Sequence, residues 1–365
     1  VSATTGVRPA PSAPTGVAAR ARRGGTWRAG ARLSVRVEGR TLGVCVALVL
    51  AVLVVATVSL TTGDYPLTVA EVARTLVGQG TTAQEFIVLG LRLPRVVTGV
   101  LVGAALGVAG AVFQLVTRNP LGSPDIIGFT TGAVTGALVV LLVLGGTTAQ
   151  AALGALAGGF VNAVLVYLLA ARGGLAGYRL VLVGIGTTAV LQAANNFLLT
   201  RADLPEAQSA QVWITGSLNG RDWEQAAPVA LGLAVLLPVL LAHGRSLTLL
   251  DLGDDAARGL GVGVDRVRLT VLAAAVVLTA LAALAAGPIS FVALAAPQVA
   301  RRLTRAVGSG LVAAGLTGAL LLLVSDLAAQ RLFAPTQLPV GVLTGAVGGL
   351  YLAYLLAGQW RRGRG

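Results

Sequence analysis

Few side chains in this sequence are of a kind that does chemistry, and none falls into a catalytic spacing. Cys45 and His243 are the only cysteine and the only histidine. An internal disulfide, a Cys/His cluster and a multi-histidine metal centre are therefore excluded. There is no GxxxxGK[ST] loop, no HExxH and no G-x-S-x-G turn, so the chain carries no nucleotide-hydrolysing or nucleophilic motif of its own. What remains is a sparse set of charged and amide groups. Arg92 and Arg95 stand just before a long apolar run, and the guanidinium fork suits a carboxylate partner. Asp254, Asp255 and Arg258 share a short polar segment with Gly253 and Gly261 near its ends. Asp326 sits near the end of another apolar run and reads as interfacial. Gln114, Asn162, Gln192, Asn195 and Asn196 lie within apolar runs. They read as helix-to-helix hydrogen-bonding groups or as liners of a path.

The elements that must position these residues are long apolar helices. Only 11% of the 365 residues are charged and the mean hydropathy is +0.84, against about 25% charge in a soluble domain. Apolar stretches near the length that spans a bilayer, about 20 residues, recur along the chain. They fall at 42–61, 94–115, 126–145, 148–171, 179–199, 225–242, 268–286, 289–300, 309–328 and 339–357. The reading is an all-α polytopic membrane protein of about ten transmembrane helices. The eighth stretch is short and bracketed by Pro288 and Pro297, as a half-helix would be. Residues 1–41 are rich in Pro, Ala, Gly, Ser, Thr and Arg and read as a disordered basic tail. Residues 42–357 read as the transmembrane domain and 358–365 as a short C-terminal tail.

All 27 basic residues are Arg, and the net charge is +13. The excess is a membrane topology signal, with no nucleic-acid partner implied. The tail, Arg118, Arg172, Arg179, Arg245, Arg258, Arg266, Arg268, Arg301, Arg302, Arg305, Arg361, Arg362 and Arg364 collect on one side. Arg74, Arg92, Arg95, Arg201, Arg221 and Arg331 collect on the other. The positive-inside rule then places both termini in the cytoplasm, with the basic tail near membrane lipid. Gly99, Gly103 and Gly107 line one face of the second span, with Gly110 beyond them, and Gly154/Gly158 and Gly341/Gly345 repeat the spacing. Such stripes let helices approach closely, although a general excess of Gly gives the same pattern. No span carries the buried Asp, Glu or Arg of an ion relay.

Several separated segments resemble one family. They are Leu91-Arg92-Leu93-Pro94-Arg95, Gly103-Ala104-Ala105-Leu106-Gly107, Thr117-Arg118-Asn119-Pro120-Leu121-Gly122-Ser123-Pro124-Asp125, Trp213-Ile214-Thr215-Gly216-Ser217-Leu218, the stretch from Leu252 through Gly261, Ala286-Gly287-Pro288-Ile289-Ser290-Phe291, Ala296-Pro297-Gln298 with Arg301, and Leu338-Pro339-Val340-Gly341. In this order they resemble the FecCD permeases of iron-siderophore, heme and cobalamin ABC importers, over roughly residues 42–357. The resemblance implies a type II importer permease in the bacterial inner membrane, carrying an iron chelate and binding no cofactor. It implies four partners: a second permease subunit, identical or paralogous, two cytoplasmic ATPases that use the ATP, and an external binding protein. It implies that Arg92 and Arg95 meet carboxylates of the binding protein. Arg331 stands one place beyond the family's third outer arginine, at Gln330, an offset of roughly 100° on a helix. It further implies that Leu252, Gly253, Asp254, Asp255, Ala256, Arg258, Leu260 and Gly261 form the loop coupling to the ATPase. Two departures stand out: Gln298 replaces a histidine, and Val347, Gly348 and Gly349 replace a proline and two aromatics. An ion-coupled secondary transporter and a cargo-free membrane scaffold are the rival classes.

Overall fold

The computed structural model describes residues 24–29, 33–125, 128–171, 177–306, 308–334 and 336–362. A two-stranded antiparallel ribbon comes first: β1 (Gly24–Ala29) and β2 (Leu33–Glu38), with Trp27 opposite Val35. The ribbon falls within residues 1–41, which composition reads as a disordered basic tail. Thr26, Trp27, Val35 and Val37 favour strands, but the alternation is too short to stand out among Gly and Arg. Residues 1–23 and 363–365 lie outside the described residues.

Helix α1 (Gly39–Thr61) leads to α2 (Val69–Leu76) and α3 (Thr82–Glu85). A π-helical stretch, Phe86–Arg92, joins α3 to α4 (Leu93–Thr117), so that Thr82–Thr117 forms one 36-residue rod. Then follow α5 (Phe129–Leu138), prolonged by a π-helical Val139–Val143, α6 (Thr148–Ala171), α7 (Gly177–Arg201), α8 (Leu204–Thr215) and α9 (Trp223–Ala242). Two short helices, α10 (Gly244–Asp251) and α11 (Asp254–Gly259), precede α12 (Val264–Ala286), α13 (Val292–Thr304), α14 (Leu311–Arg331) and α15 (Val340–Arg362).

Seven of these helices are long and apolar enough to cross a membrane, among the described residues. The apolar stretches Phe129–Val143 and Val340–Tyr351 are shorter, and the expected span 289–300 is the 13-residue α13. The count of about ten full spans is thus corrected to seven. The reason is local. Gly287 (φ +73°) and Phe291 (φ +69°) hold the chain out of helix after α12. Pro120, Pro124 and Gly128 (φ +82°) delay the start of α5. Pro297 sits inside α13 without ending it. The short elements α2, α8, α10 and α11 lie between the spans, and α15 continues to Arg362, past the expected boundary at 357.

Helix α4 is the central post. Of its most apolar window 78% is buried in protein, against 61% for α12 and α14 and 6% for α1. Helix α1 therefore offers its surface to lipid, while α4 is enclosed by α12, α13 and α14. Its glycines make this possible. A Cβ at Gly103 or Gly107 would collide with the carbonyl oxygens of Gly318 and Ala314 on α14, and one at Gly110 with that of Ala293 on α13. Gly99 faces the side chains of Leu218 and Leu323. Backbone thus lies on backbone, the arrangement that holds helices together where lipid offers no hydrophobic drive. The α5–α6 hairpin repeats it, with Gly132 and Gly136 against Gly158 and Gly154. Gly341 lies on the Thr215 carbonyl, whereas Gly345 has open space around its Cα.

Candidate functional site

The named side chains gather at the two ends of α4 and beside its middle. The end bearing Arg92 is the outer end in the charge-based orientation. A cavity of about 570 Å³ opens there, lined by Arg92, Arg95, Arg221 and Arg331 together with Asp64 and Asp222. Arg331 thus meets Arg92 and Arg95 despite its offset. Arg95 Nε and Nη2 donate to Asp326 Oδ2 and Oδ1 at 2.9 and 2.8 Å, a bidentate pair between α4 and α14. Gln330 Nε2 donates to the same carboxylate at 2.8 Å. Asp326 was expected at the interface. It is instead a buried group, 5% exposed at its side chain, because only a complete partner set compensates its lost hydration. Arg92 is also engaged: its Nη1 and Nη2 donate to the Leu60 and Tyr65 carbonyls at 2.7 and 2.6 Å. Gly63 leaves the space in which that guanidinium lies. Arg221 completes the set and had no motif to mark it. Burial pulls its guanidinium below the usual value, with Asp222 opposing.

At the inner end, α4 stops on Arg118 in the left-handed region (φ +50°). Arg118 Nη2 donates to Asp254 Oδ1 at 3.0 Å, and Arg268 Nη2 donates to the same oxygen at 2.9 Å. Asp254 opens α11, whose Ala257 packs with Leu250 and Val264. The other members of the expected coupling segment face outward. Leu252 and Leu260 are exposed apolar side chains flanking α11, and Asp255 and Arg258 form only a surface pair at 3.3 Å. Arg301 donates to Gln114 Oε1, and Gln114 Nε2 in turn donates to Leu294. Gln298, where the family pattern has histidine, donates to the Pro120 carbonyl at 2.7 Å. It ties α13 to the loop that follows α4. The other departure also has a physical account: the Phe291 ring fills the space into which a side chain at 348 would project.

Between the ends lies a carboxylate that span-by-span reading overlooked. Helix α13 has 13 residues and so rises only about 20 Å from its inner end. Its first residues lie well inside the bundle. Asp125 accepts there from the Phe291 N–H, at the start of α13, and from Thr130 Oγ1, in the first turn of α5. Asn162, midway along α6, donates to the Gly128 carbonyl at 2.7 Å. The loop after α4 therefore folds back into the bundle, and its acid meets the positive ends of two short helices. A pocket of about 640 Å³ adjoins it, lined by Ser123, Thr188 and Ser290 among others. Asp326 and Arg268 are buried charges within α14 and α12, which corrects the expectation that no span carries a buried Asp, Glu or Arg, and Asp125 is a half-buried one between spans. Each has a partner, as a charge inside a bilayer requires.

No group of three His, Cys, Asp or Glu is placed to hold a metal among the described residues. A bundle of apolar helices around a glycine-lined post, with polar joints at its ends, defines a polytopic permease of the ABC-importer type. A solved structure of an inward-facing metal-chelate type ABC transporter has this fold, with a TM-score of 0.75 at 27% identity over 87% of this chain and 99% of that one. The FecCD transport family matches residues 49–358, and the chain belongs to that family. It is 46% identical over 326 residues to the ferric enterobactin transport system permease protein FepG of Escherichia coli (strain K12), covering 89% of this chain and 99% of FepG. The achromobactin transport system permease protein CbrC of Dickeya dadantii (strain 3937) is 39% identical, covering 91% of this chain and 96% of CbrC. This chain is thus a non-catalytic transport subunit of the membrane.

Proposed function

We propose that this chain is the permease subunit of an ATP-driven importer that carries a ferric siderophore across the inner membrane. The observation that carries the reading is the alignment with FepG, which spans 99% of that permease, a protein named for ferric enterobactin transport. CbrC, named for achromobactin transport, is a second relative named for a chelate-transport system. The chain holds no phosphate loop, so ATP is used by separate subunits. Ten crossings follow if α15 and the shorter α5 and α13 also pass through the bilayer, the two short helices in company with others, where protein rather than lipid satisfies their interrupted backbone. Both termini then lie in the cytoplasm.

A second permease subunit is supported by α7. Gly186, Ala189, Ala193, Asn196 and Thr200 form an exposed stripe on it, and Gln192 lies beside them. Amide side chains facing hydrocarbon are costly, so this face suits a wet path between two permeases. The outer arginines would meet carboxylates of a binding protein. Leu252 and Leu260, flanking α11, would enter a groove on the ATPase. The cavity field attracts an acidic partner, and the path closes and opens as the ATPases cycle.

The test is uptake by vesicles holding the permease with its ATPases and binding protein. Radiolabelled ferric enterobactin, heme and cobalamin are offered with and without ATP. ATP-dependent accumulation of the siderophore alone is expected. Accumulation of heme or cobalamin in its place, or uptake without ATPases, overturns the proposal.

A further inference from the structure

At the inner end a single carboxylate oxygen joins three elements. Asp254 Oδ1 receives Arg118 from the end of α4 at 3.0 Å and Arg268 from α12 at 2.9 Å. The Arg268 side chain is 1% exposed, whereas Arg118 is 39% exposed. The chain enters α11 through Gly253, at φ +116°, a conformation that a residue with a Cβ rarely adopts. That entry sets the Asp254 carboxylate toward the two guanidinium groups. Helix α11 has only six residues. Apart from this joint, its inward attachment is the small contact of Ala257 with Leu250 and Val264. Asp255 is fully exposed and contributes little to holding the helix.

We propose that Asp254 is a positioning residue for transport, the joint through which displacement of α11 reaches α4 and α12. This rests on the reading of Leu252–Val262 as the segment on which the ATPase acts. The mechanics follow from the geometry. Besides the chain itself, which leads from α11 into α10 and α12, a load on the outer face of α11 has two routes inward. The Ala257 contact is small and apolar, so it slides under shear. The ion pair resists both pulling and shear, because its guanidinium groups come from two different elements. Beyond Arg118 the load meets α4, whose backbone lies directly on α14 at Gly103 and Gly107. The two long helices therefore move together. Loss of the Asp254 charge leaves the outward side chains of α11 in place but disconnects them from the post.

The experiment measures radiolabelled ferric enterobactin taken up per ATP hydrolysed by the reconstituted complex. Asp254→Asn should lower that ratio about tenfold, the scale set by breaking a partly buried pair, with the ATPases still bound. Asp254→Glu should restore most of it. Arg118→Gln removes one arm at a half-exposed site where misfolding is not at issue, and should lower the ratio by a smaller factor of about three. A wild-type ratio in Arg118→Gln and Asp254→Asn overturns the proposal. So does loss of the ATPases from Arg118→Gln, because Asp254 would then shape the docking face without transmitting its motion. Leu252→Asp and Leu260→Asp test the underlying reading separately. Both should release the ATPases, and retention would sink the docking assignment whatever the ratio shows.

Discussion

The two ends of the bundle begin their helices in different ways. At the outer end, α2, α3 and α9 each start with a reciprocal capping box, Thr68 with Glu71, Thr81 with Gln84, and Asp222 with Gln225. Thr147 and Gln150 make the same exchange at the start of α6. At the inner end, α11, α12 and α14 start at Gly253, Gly263 and Gly310, with no side-chain cap. A side-chain cap satisfies amide groups that a helix start otherwise leaves to water or a partner. Most outer starts are therefore finished within the chain itself, with Asp203 before α8 an exception, whereas the inner starts lack side-chain caps and that end relies on ion pairs such as that of Asp254. A surface that receives a transient visitor gains from being preset. A surface that must transmit motion gains from soft starts around a few stiff joints.

This contrast is open to test. The largest effect is expected where the outer end is stiffest. Asp326→Ala strands Arg95 in the bundle and should destabilise the protein by about 3–5 kcal/mol, read as a lower melting temperature in detergent. Arg95→Lys should recover only part of a bidentate contact. Asp254→Asn should shift melting less than Asp326→Ala does, because the Asp254 side chain is 22% exposed. Equal losses would erase the contrast between clasp and joint. Gly107→Ala comes next: its methyl group would strike the Ala314 carbonyl and should cost about 1–3 kcal/mol through overpacking. Gly345→Ala, with open space, serves as the control, and an equal loss there would count against the backbone contact.

The smallest effect concerns the outer caps. Hydrogen bonds from the Thr68 amide and hydroxyl hold the Glu71 carboxyl below its usual value. A depressed carboxylate stabilises the fold fully above its unfolded value and loses that contribution as pH falls through the folded one. The protection factor of the Thr68 amide, its exchange relative to the unfolded chain at the same pH, should hold from neutral pH down to the ordinary carboxylate range, about 4.3 for Glu, and fall below it. Protection that does not fall there would mean the box does not hold α2.

Much of this was legible because helix geometry is local. The spacing of Gly99, Gly103 and Gly107 marks a common face whatever packs there, and the apolar runs mark most of the long helices. The Arg95–Asp326 pair was not legible: its members lie 231 residues apart, and nothing near Asp326 distinguishes an interfacial acid from a clasped one. The meeting of Arg331 with Arg92 and Arg95 in one cavity was not legible either, since a helix-angle argument ignores the length of its side chain and the shape of the cavity it enters. Asp125 was legible only as the end of a segment, because no local pattern marks a loop that turns back into the bundle. Only the shortness of α5 and α13 shows that the chain turns back into the bundle there.

The outer cavity also bears on timing. Arg95 is already gripped by Asp326, and Arg92 by two carbonyl groups. An acidic group of the proposed binding protein would find positive potential there, with both arginines of the Leu91–Arg95 segment already committed. Attraction then acts mainly at a distance, speeding encounter in a salt-dependent way, while the contact that follows is shallow. Such a harbour fills quickly and empties quickly, which suits a carrier that must unload and leave once in every cycle.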